Sequence, residues 1–250
     1  MLASLHRQII FEYDEGRYPF RSAVCAALGL ASLDGIDDAE PEWHIDGSGN
    51  RVNRLQVRWN ADRDRRGRHV PDDAYAAFDA AYRRFVCEVV APGLGGGRVL
   101  FQRAPTLRVM SPARPGGPPP AVMSRLHCDM DYHHQPSELN FWLPLTPVFG
   151  GNSLWVESAP GRGDFAPLEM RPGQCCRFYG NRCRHQTLPN DTGRTRVSLD
   201  FRALSDASGG HDPGFRRGVR RGAKALFQDR FDVGGFYAEM VTPRVPVPLL

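Results

Sequence analysis

The sequence has almost no lysine. Of its 32 basic residues Lys224 alone is one, and arginine carries the rest of a net charge of +4. An excess this small, in a chain also heavy in Ala, Gly and Pro, reads as GC-rich coding and a solvated surface rather than a nucleic-acid interface. The sequence also has no apolar run near the ~20 residues that cross a bilayer. Its first residues, MLASLHRQIIFEYDEGRYPF, put acidic side chains where a secretory leader needs an apolar core, so a cytoplasmic protein with no membrane partner is expected. Six cysteines (25, 87, 128, 175, 176 and 183) form no Cys-x-x-Cys pair, which removes the usual structural zinc framework. In a reducing compartment they are expected as free thiols and small core residues. There is no internal repeat and no long low-complexity tract.

What is present suits a single domain. A chain of 250 residues with 41% hydrophobic and 24% charged content can build one full core. Residues 20–31 read as a short helix, and 32–70 as loops with a possible strand at Leu55–Trp59. The clearest helix is Pro71–Val90: Pro71 suits the first turn, Asp72 and Asp73 suit its positive end, and Ala91-Pro92-Gly93 stops it. Tyr75, Phe78, Tyr82, Phe85, Val86, Val89 and Val90 recur at three- and four-residue steps and form one core-facing stripe.

Beyond it the pattern changes to short strands, expected at Arg98–Gln102, Thr106–Met110, Arg125–Asp129, Glu138–Leu145, Asn152–Glu157, Gln174–Tyr179 and Thr195–Arg202. Turn clusters separate them, as in Phe149-Gly-Gly-Asn152. The chain is therefore expected to be mainly β, a sandwich or barrel with flanking helices. Residues 1–97 would supply helical and loop support, 98–205 the core, and 206–250 a C-terminal extension. The Pro/Gly tract 112–120 reads as a loop covering a site, and 214–234 as a surface helix.

One constellation carries chemistry. His127 is followed two residues later by Asp129; His185 lies 58 residues on, and Arg196 a further 11. On a strand, residues i and i+2 project from one face about 7 Å apart, so both can meet one ion where the strand ends. Two histidines and one carboxylate on one face leave three open positions, the donor set of non-haem Fe(II) oxygenases. His-x-Asp alone is weak. It gains weight from the second His, from Arg196 and Ser198 behind it, and from the Gly-rich turn and strand 150–161 between them.

The stretches LHCDMDYHH, ELNFWLPLTP, GGNSLWVESAPGRGDF and CRHQTLPNDTGRTRVSLDFR, within 124–202, resemble the phytanoyl-hydroxylase-type branch of Fe(II)/2-oxoglutarate-dependent oxygenases. Within it they are most similar to oxygenases of aminoglycoside and oligosaccharide antibiotic pathways, the streptomycin type included. Residues 1–97 show no such likeness. The resemblance implies a double-stranded β-helix (a jelly roll, cupin-like barrel) with iron at its mouth. It implies His127, Asp129 and His185 as Fe(II) ligands and hence the catalytic centre, with 2-oxoglutarate and O2 as cosubstrates. Arg196 would pair with the far carboxylate of 2-oxoglutarate and Ser198 would assist. A guanidinium suits that task because it grips a carboxylate through two parallel hydrogen bonds. Arg194 is a rival two residues earlier, and Arg202 reads as a strand-end surface residue.

Asp129 itself disfavours halogenation, since halogenases of this family usually have a small residue there. Hydroxylation or oxidative ring closure of a hydroxyl-rich sugar or aminoglycoside-like intermediate is the activity implied. Asn140 and Trp142, on one strand face, either line the cosubstrate site or pack the barrel. His133, His134 and Trp155 either touch substrate or fill ordinary loop and packing positions. Glu157 and Asp164 either accept hydrogen bonds from substrate or hold turns, and Asp131 is either a substitute ligand or exposed. Two alternatives stay open: a cupin-type metal enzyme that uses no 2-oxoglutarate, and a non-catalytic jelly-roll binding module.

Overall fold

A computed structural model describes residues 2–33, 36, 43–45, 51–53, 73–113, 124–213, 215 and 232–247. The expected strand at Leu55–Trp59, residues Pro71 and Asp72, the Pro/Gly tract beyond residue 113 and most of the expected tail helix lie outside these. The α-helices of more than one turn are α1 (Leu2–Leu5), α2 (Phe20–Leu28) and α3 (Asp73–Phe85). α3 runs on as a π-helix over Val86–Val90 and a short helical turn over Ala91–Gly93, so the expected stop at Ala91-Pro92-Gly93 is the helix's last turn and not its boundary. The strands are β1 (Ile9–Glu12), β2 (Trp43–Ile45), β3 (Arg51–Asn53), β4 (Gly97–Gln102), β5 (Thr106–Met110) and β6 (Leu139–Pro144). They continue with β7 (Leu154–Val156), β8 (Ala166–Pro167), β9 (Gln174–Phe178), β10 (His185–Thr187), β11 (Arg196–Ser205) and β12 (Tyr237–Thr242).

The larger sheet runs β1-β9-β6-β11-β4-β12, with β5 paired to β11 beside β4, and every ladder in it is antiparallel. A smaller antiparallel sheet runs β10-β7-β8, and β2 pairs with β3 as a separate ribbon. The ten-residue β11 organises the large sheet. One edge pairs with β6 from Ser198 to Ala203; the other takes β5 first and then β4. The two sheets share a pocket between them. The chain is mainly β with flanking helices, as the strand pattern predicts, and the two-sheet arrangement fits the jelly roll that the family resemblance implies.

The aromatic stripe of α3 packs on the outer face of the large sheet. Phe78, Tyr82 and Phe85 are buried, and the Tyr82 ring meets Phe101 at 5.8 Å and Phe201 at 5.1 Å, edge to face. The Tyr82 hydroxyl donates to the Gln102 carbonyl at 2.7 Å, so its polar end is satisfied inside the core. Helix α2 closes over α3 through Phe20, whose ring lies 5.4 Å from Phe85. The π-helical turn keeps Val86 and Val90 buried and turns Glu88 outward, where it accepts from Arg17 Nε at 2.8 Å and from the Tyr18 hydroxyl at 2.7 Å. The N-terminal segment joins the sheet directly, since Ile9–Glu12 pair with Gln174–Arg177.

Two expectations from the sequence are corrected. Residues 125–129 are not a strand. His127 makes a single bridge with His185, and the chain then turns into a 3-10 helix over Asp129–Tyr132. The cause is local: the Asp131 carboxylate accepts the Cys128 backbone N–H at 3.0 Å and holds the turn from its start. Arg202 is not a strand-end surface residue either. β11 continues three residues beyond it, and its side chain is only 13% exposed.

Candidate metal centre

His127 and His185 are brought together by backbone pairing. The His127 N–H donates to the His185 carbonyl at 3.1 Å and the His185 N–H to the His127 carbonyl at 2.8 Å, which leaves the two rings 4.3 Å apart. The Asp129 N–H donates to the Gly180 carbonyl at 2.8 Å, so the turn carries its carboxylate in beneath both rings. Asp129 Oδ1 lies 3.6 Å from His185 Nε2 and 3.8 Å from His127 Nε2. One donor atom from each of the three residues falls within 4.8 Å of the others.

The remaining ring nitrogens fix the tautomers. His185 Nδ1 lies 3.0 Å from the Cys183 carbonyl, and His127 Nδ1 lies 2.6 Å from the Arg125 carbonyl, with Ser124 Oγ at 3.1 Å. A carbonyl only accepts, so each Nδ1 bears a proton and each Nε2 is the nitrogen left facing Asp129. Burial pushes the His185 imidazole down to about 4, and the neighbouring Asp129 charge offsets only part of that. His185 is therefore neutral at pH 7, the form that coordinates a cation.

Burial alone would raise the Asp129 carboxyl. The Arg202 guanidinium, hydrogen-bonded to it, instead holds it well below the usual carboxylate range. Two imidazoles and one carboxylate whose donor atoms lie within 4.8 Å of one another fit a divalent first-row metal such as Fe(II).

The pocket in front of this triad is walled by β6, β7, β9, β10 and β11 and includes Leu154, Phe178 and Thr187. Arg196 lines it and is 2% exposed. Its Nη1 donates to the Asn152 carbonyl at 3.0 Å, and its guanidinium lies 5.8 Å from the Trp142 ring centre. Burial, with Arg108 close by, brings Arg196 down to about 9, still charged at pH 7. Ser198 is fully buried, and its hydroxyl has no hydrogen-bond partner among the described residues. Asn140 and Trp142 both line the pocket, and the Asn140 amide donates to Asp129 Oδ2 at 2.7 Å. Arg194 is exposed.

Other candidates lie elsewhere. Trp155 alternates with the pocket-lining Leu154 on β7, and its indole N–H donates to the Gly150 carbonyl at 3.0 Å. Glu157 is buried and accepts the Gly161 N–H at 2.6 Å, and Asp164 accepts from Ser158 at 2.7 Å; both hold the 158–164 turn. His133 is exposed with φ +65°, ending the 3-10 helix. His134 is buried against Glu138, Nδ1 to Oε2 2.6 Å, and Glu138 also accepts from the Tyr237 hydroxyl. Asp131 is exposed and caps the turn.

Sequence reading did not single out Asp200, Arg108 or Gly180, and it placed Arg202 at the surface. Arg202 Nε donates to Asp129 Oδ2 at 2.8 Å and its Nη1 lies 3.4 Å from Asp200 Oδ2, while Arg108 Nε donates to Asp200 Oδ1 at 2.9 Å. The signal was there in β11, where Arg196, Ser198, Asp200 and Arg202 fall at every second position.

No known protein-family model matches the chain. Over 124 residues it is 34% identical to the streptomycin biosynthesis protein StrG of Streptomyces griseus, a match covering 50% of this chain. The chain spans about half the length of that relative, 55%. Among solved structures it is similar to the non-haem alpha-ketoglutarate-dependent carbocyclase SnoK from nogalamycin biosynthesis (13% identity, TM-score 0.46, 80% of each chain). It is also similar to CytC3 with Fe(II) and alpha-ketoglutarate (12% identity, TM-score 0.46, 81% of this chain and 75% of that one). Among the described residues no helix is long and apolar enough to cross a membrane.

Proposed function

We propose that this protein is a non-haem Fe(II)/2-oxoglutarate-dependent dioxygenase. It would oxidise a C–H bond, by hydroxylation or oxidative cyclisation, of a sugar-containing intermediate in antibiotic biosynthesis. The observation that carries the reading is the convergence of His127 Nε2, Asp129 Oδ1 and His185 Nε2 at the head of a pocket whose wall holds the buried Arg196. The streptomycin pathway of the StrG relative supports the sugar-like substrate class. In this reading the chain is one cytoplasmic domain, with 98–205 as its working core, 1–97 supporting it through β1 and the α3 layer, and 206–250 as an extension.

His127, Asp129 and His185 would hold the iron. With 2-oxoglutarate and O2, the bound metal would supply C–H oxidation chemistry, O2 being the oxidant and 2-oxoglutarate leaving as succinate and carbon dioxide. The protein's own part is to bind, orient and exclude water. Arg196 meets the far carboxylate of 2-oxoglutarate with a charge already desolvated by the sheet, so pairing there recovers interactions that water cannot supply. Ser198, buried on the same strand face, offers that carboxylate a hydroxyl donor. Trp142 flanks the guanidinium and limits its swing. Leu154 from the smaller sheet and Phe178, beside Asn140 in the larger one, add apolar surface to the pocket, which strengthens each polar contact inside.

Anaerobic titration of the protein with Fe(II) and then 2-oxoglutarate tests the reading. A visible charge-transfer band that needs both is expected. A protein that binds Fe(II) with no such band would be a metal enzyme of another kind on this fold, and one that binds neither would be a binding module.

A further inference from the structure

We infer that Gly180, Asn140 and Arg202 form a clamp that presents Asp129 to its metal through one oxygen only. The inference rests on the metal reading above. Asp129 is 1% exposed, and its two oxygens are treated differently by the protein. Oδ2 accepts from Arg202 Nε at 2.8 Å and from Asn140 Nδ2 at 2.7 Å. Those two donors occupy both lone pairs of that oxygen, and one of them is charged. Oδ1 takes no hydrogen bond among the described residues and faces the two imidazoles at 3.6 and 3.8 Å.

A carboxylate free to rotate can give a cation both oxygens, which fills a fourth position and leaves two. Two positions are enough for a chelating cosubstrate and leave none for oxygen. A carboxylate pinned at Oδ2 gives one oxygen and keeps three positions open. The clamp thus sets how many sites the metal offers, and its members are positioning residues that act through Asp129.

Each donor is itself held. Arg202 is braced from behind by Asp200 Oδ2 at 3.4 Å and by Gln102 Oε1 at 3.5 Å. Asn140 is held by Gly180. A methyl group at residue 180 would sit 2.6 Å from the Cγ, Nδ2 and Oδ1 of Asn140, closer than real atoms approach. The backbone at Gly180 is not left-handed, so glycine is needed there for space and not for conformation. The same residue accepts the Asp129 N–H through its carbonyl at 2.8 Å. Gly180 therefore sets both the main chain of the ligand and the amide that pins its side chain.

Co(II) titration of the full chain, followed by affinity and by the ligand-field spectrum in the visible, tests the clamp without any turnover. Gly180→Ala and Asn140→Ala are each expected to weaken Co(II) binding about tenfold or more and to change the band pattern. Arg202→Leu should do the same. In the Asn140→Ala background the added methyl at residue 180 meets no amide, so Gly180→Ala should cause no further loss. That masking is the signature of a clamp, whereas a general folding defect at residue 180 would add to the first loss. Should Arg202→Leu fail to fold, the Gly180 and Asn140 variants still decide. Wild-type affinity and spectrum in both single variants would overturn the clamp while the metal site stands. A wild-type protein that binds no Co(II) would overturn the metal reading and the clamp with it.

Discussion

On one face of β11, Val197, Leu199, Phe201 and Ala203 are all 2% exposed or less; on the other, at alternate positions, stand Arg196, Ser198, Asp200 and Arg202. The apolar face meets the α3 layer, where Phe201 touches Tyr82 edge to face and stacks on Phe141 at 5.1 Å. The polar face is turned toward the pocket. The same backbone ladder serves both, so the apolar face fixes where the charged side chains stand. The burial that holds Arg196 down to about 9 comes from this arrangement. Buried charges with shifted titration cluster at functional sites, and this one lines the pocket. Substitutions on the pocket face should therefore change binding more than stability, and those on the apolar face the reverse.

The largest effect should come from the far wall of the pocket. His127→Ala removes one of three donors and is expected to abolish Fe(II) binding by calorimetry. Binding that survives would show that the ligand set is wrong. Arg196→Ala on the pocket face should raise the apparent constant for 2-oxoglutarate about thirtyfold or more, as expected when one partner of a buried charge pair is removed. Phe201→Ala, on the apolar face of the same strand, should lower unfolding free energy by about 3–5 kcal/mol in urea and leave Co(II) affinity near wild type. If Phe201→Ala weakened metal binding while the protein stayed stable, the division of labour between the faces would fail.

A smaller effect follows from pH. The folded value of His185, about 4, lies below the ordinary 6.5. As pH falls below about 6.5, the unfolded chain takes up a proton that the folded chain refuses, so stability drops until about pH 4 and then levels for this group. Asp129, held well below its ordinary 3.8, adds loss only from about pH 4 downward. Urea unfolding of the metal-free protein at pH 7, 5.5 and 4.5 should show the decline. His185→Gln should flatten it in part, since burial also lowers His6.

Much of the strand placement was legible because alternation is a local property: β5 matches the expected Thr106–Met110 at both ends, and β4, β6 and β9 fall within a residue or so. The approach of His127, Asp129 and His185 was legible from residue type and spacing, but its cause was not. A strand pleat was expected, and the structure uses a turn capped by Asp131, whose effect depends on one side-chain hydrogen bond that periodicity does not reveal. Arg202 was misplaced because Thr195–Arg202 already looked like a complete strand, whereas β4 pairing carries β11 on to Ser205. Gly180 was silent for a different reason. Its requirement comes from Asn140 on β6, distant in sequence, and no local pattern marks a glycine kept for a neighbour's amide. β10, at three residues, is too short for alternation to show.

The smallest predicted effect is also a discriminating one. Arg194 lies two residues before Arg196, so alternation alone would put both on one face, and both are arginines. The structure separates them by the point at which the ladder begins. β11 starts at Arg196, and Arg194 belongs to the preceding turn, where its carbonyl accepts from Asn190 Nδ2 at 2.8 Å and its side chain is exposed. An exposed guanidinium is already hydrated, so meeting a carboxylate there gains little. Arg194→Ala should therefore leave the apparent 2-oxoglutarate constant within about twofold of wild type, in line with surface changes worth about 0.5 kcal/mol. A larger rise for Arg194→Ala than for Arg196→Ala would move the anchor out of the buried face and onto the turn. The pocket face of β11 would then lose the task that its desolvated charge is best placed to perform.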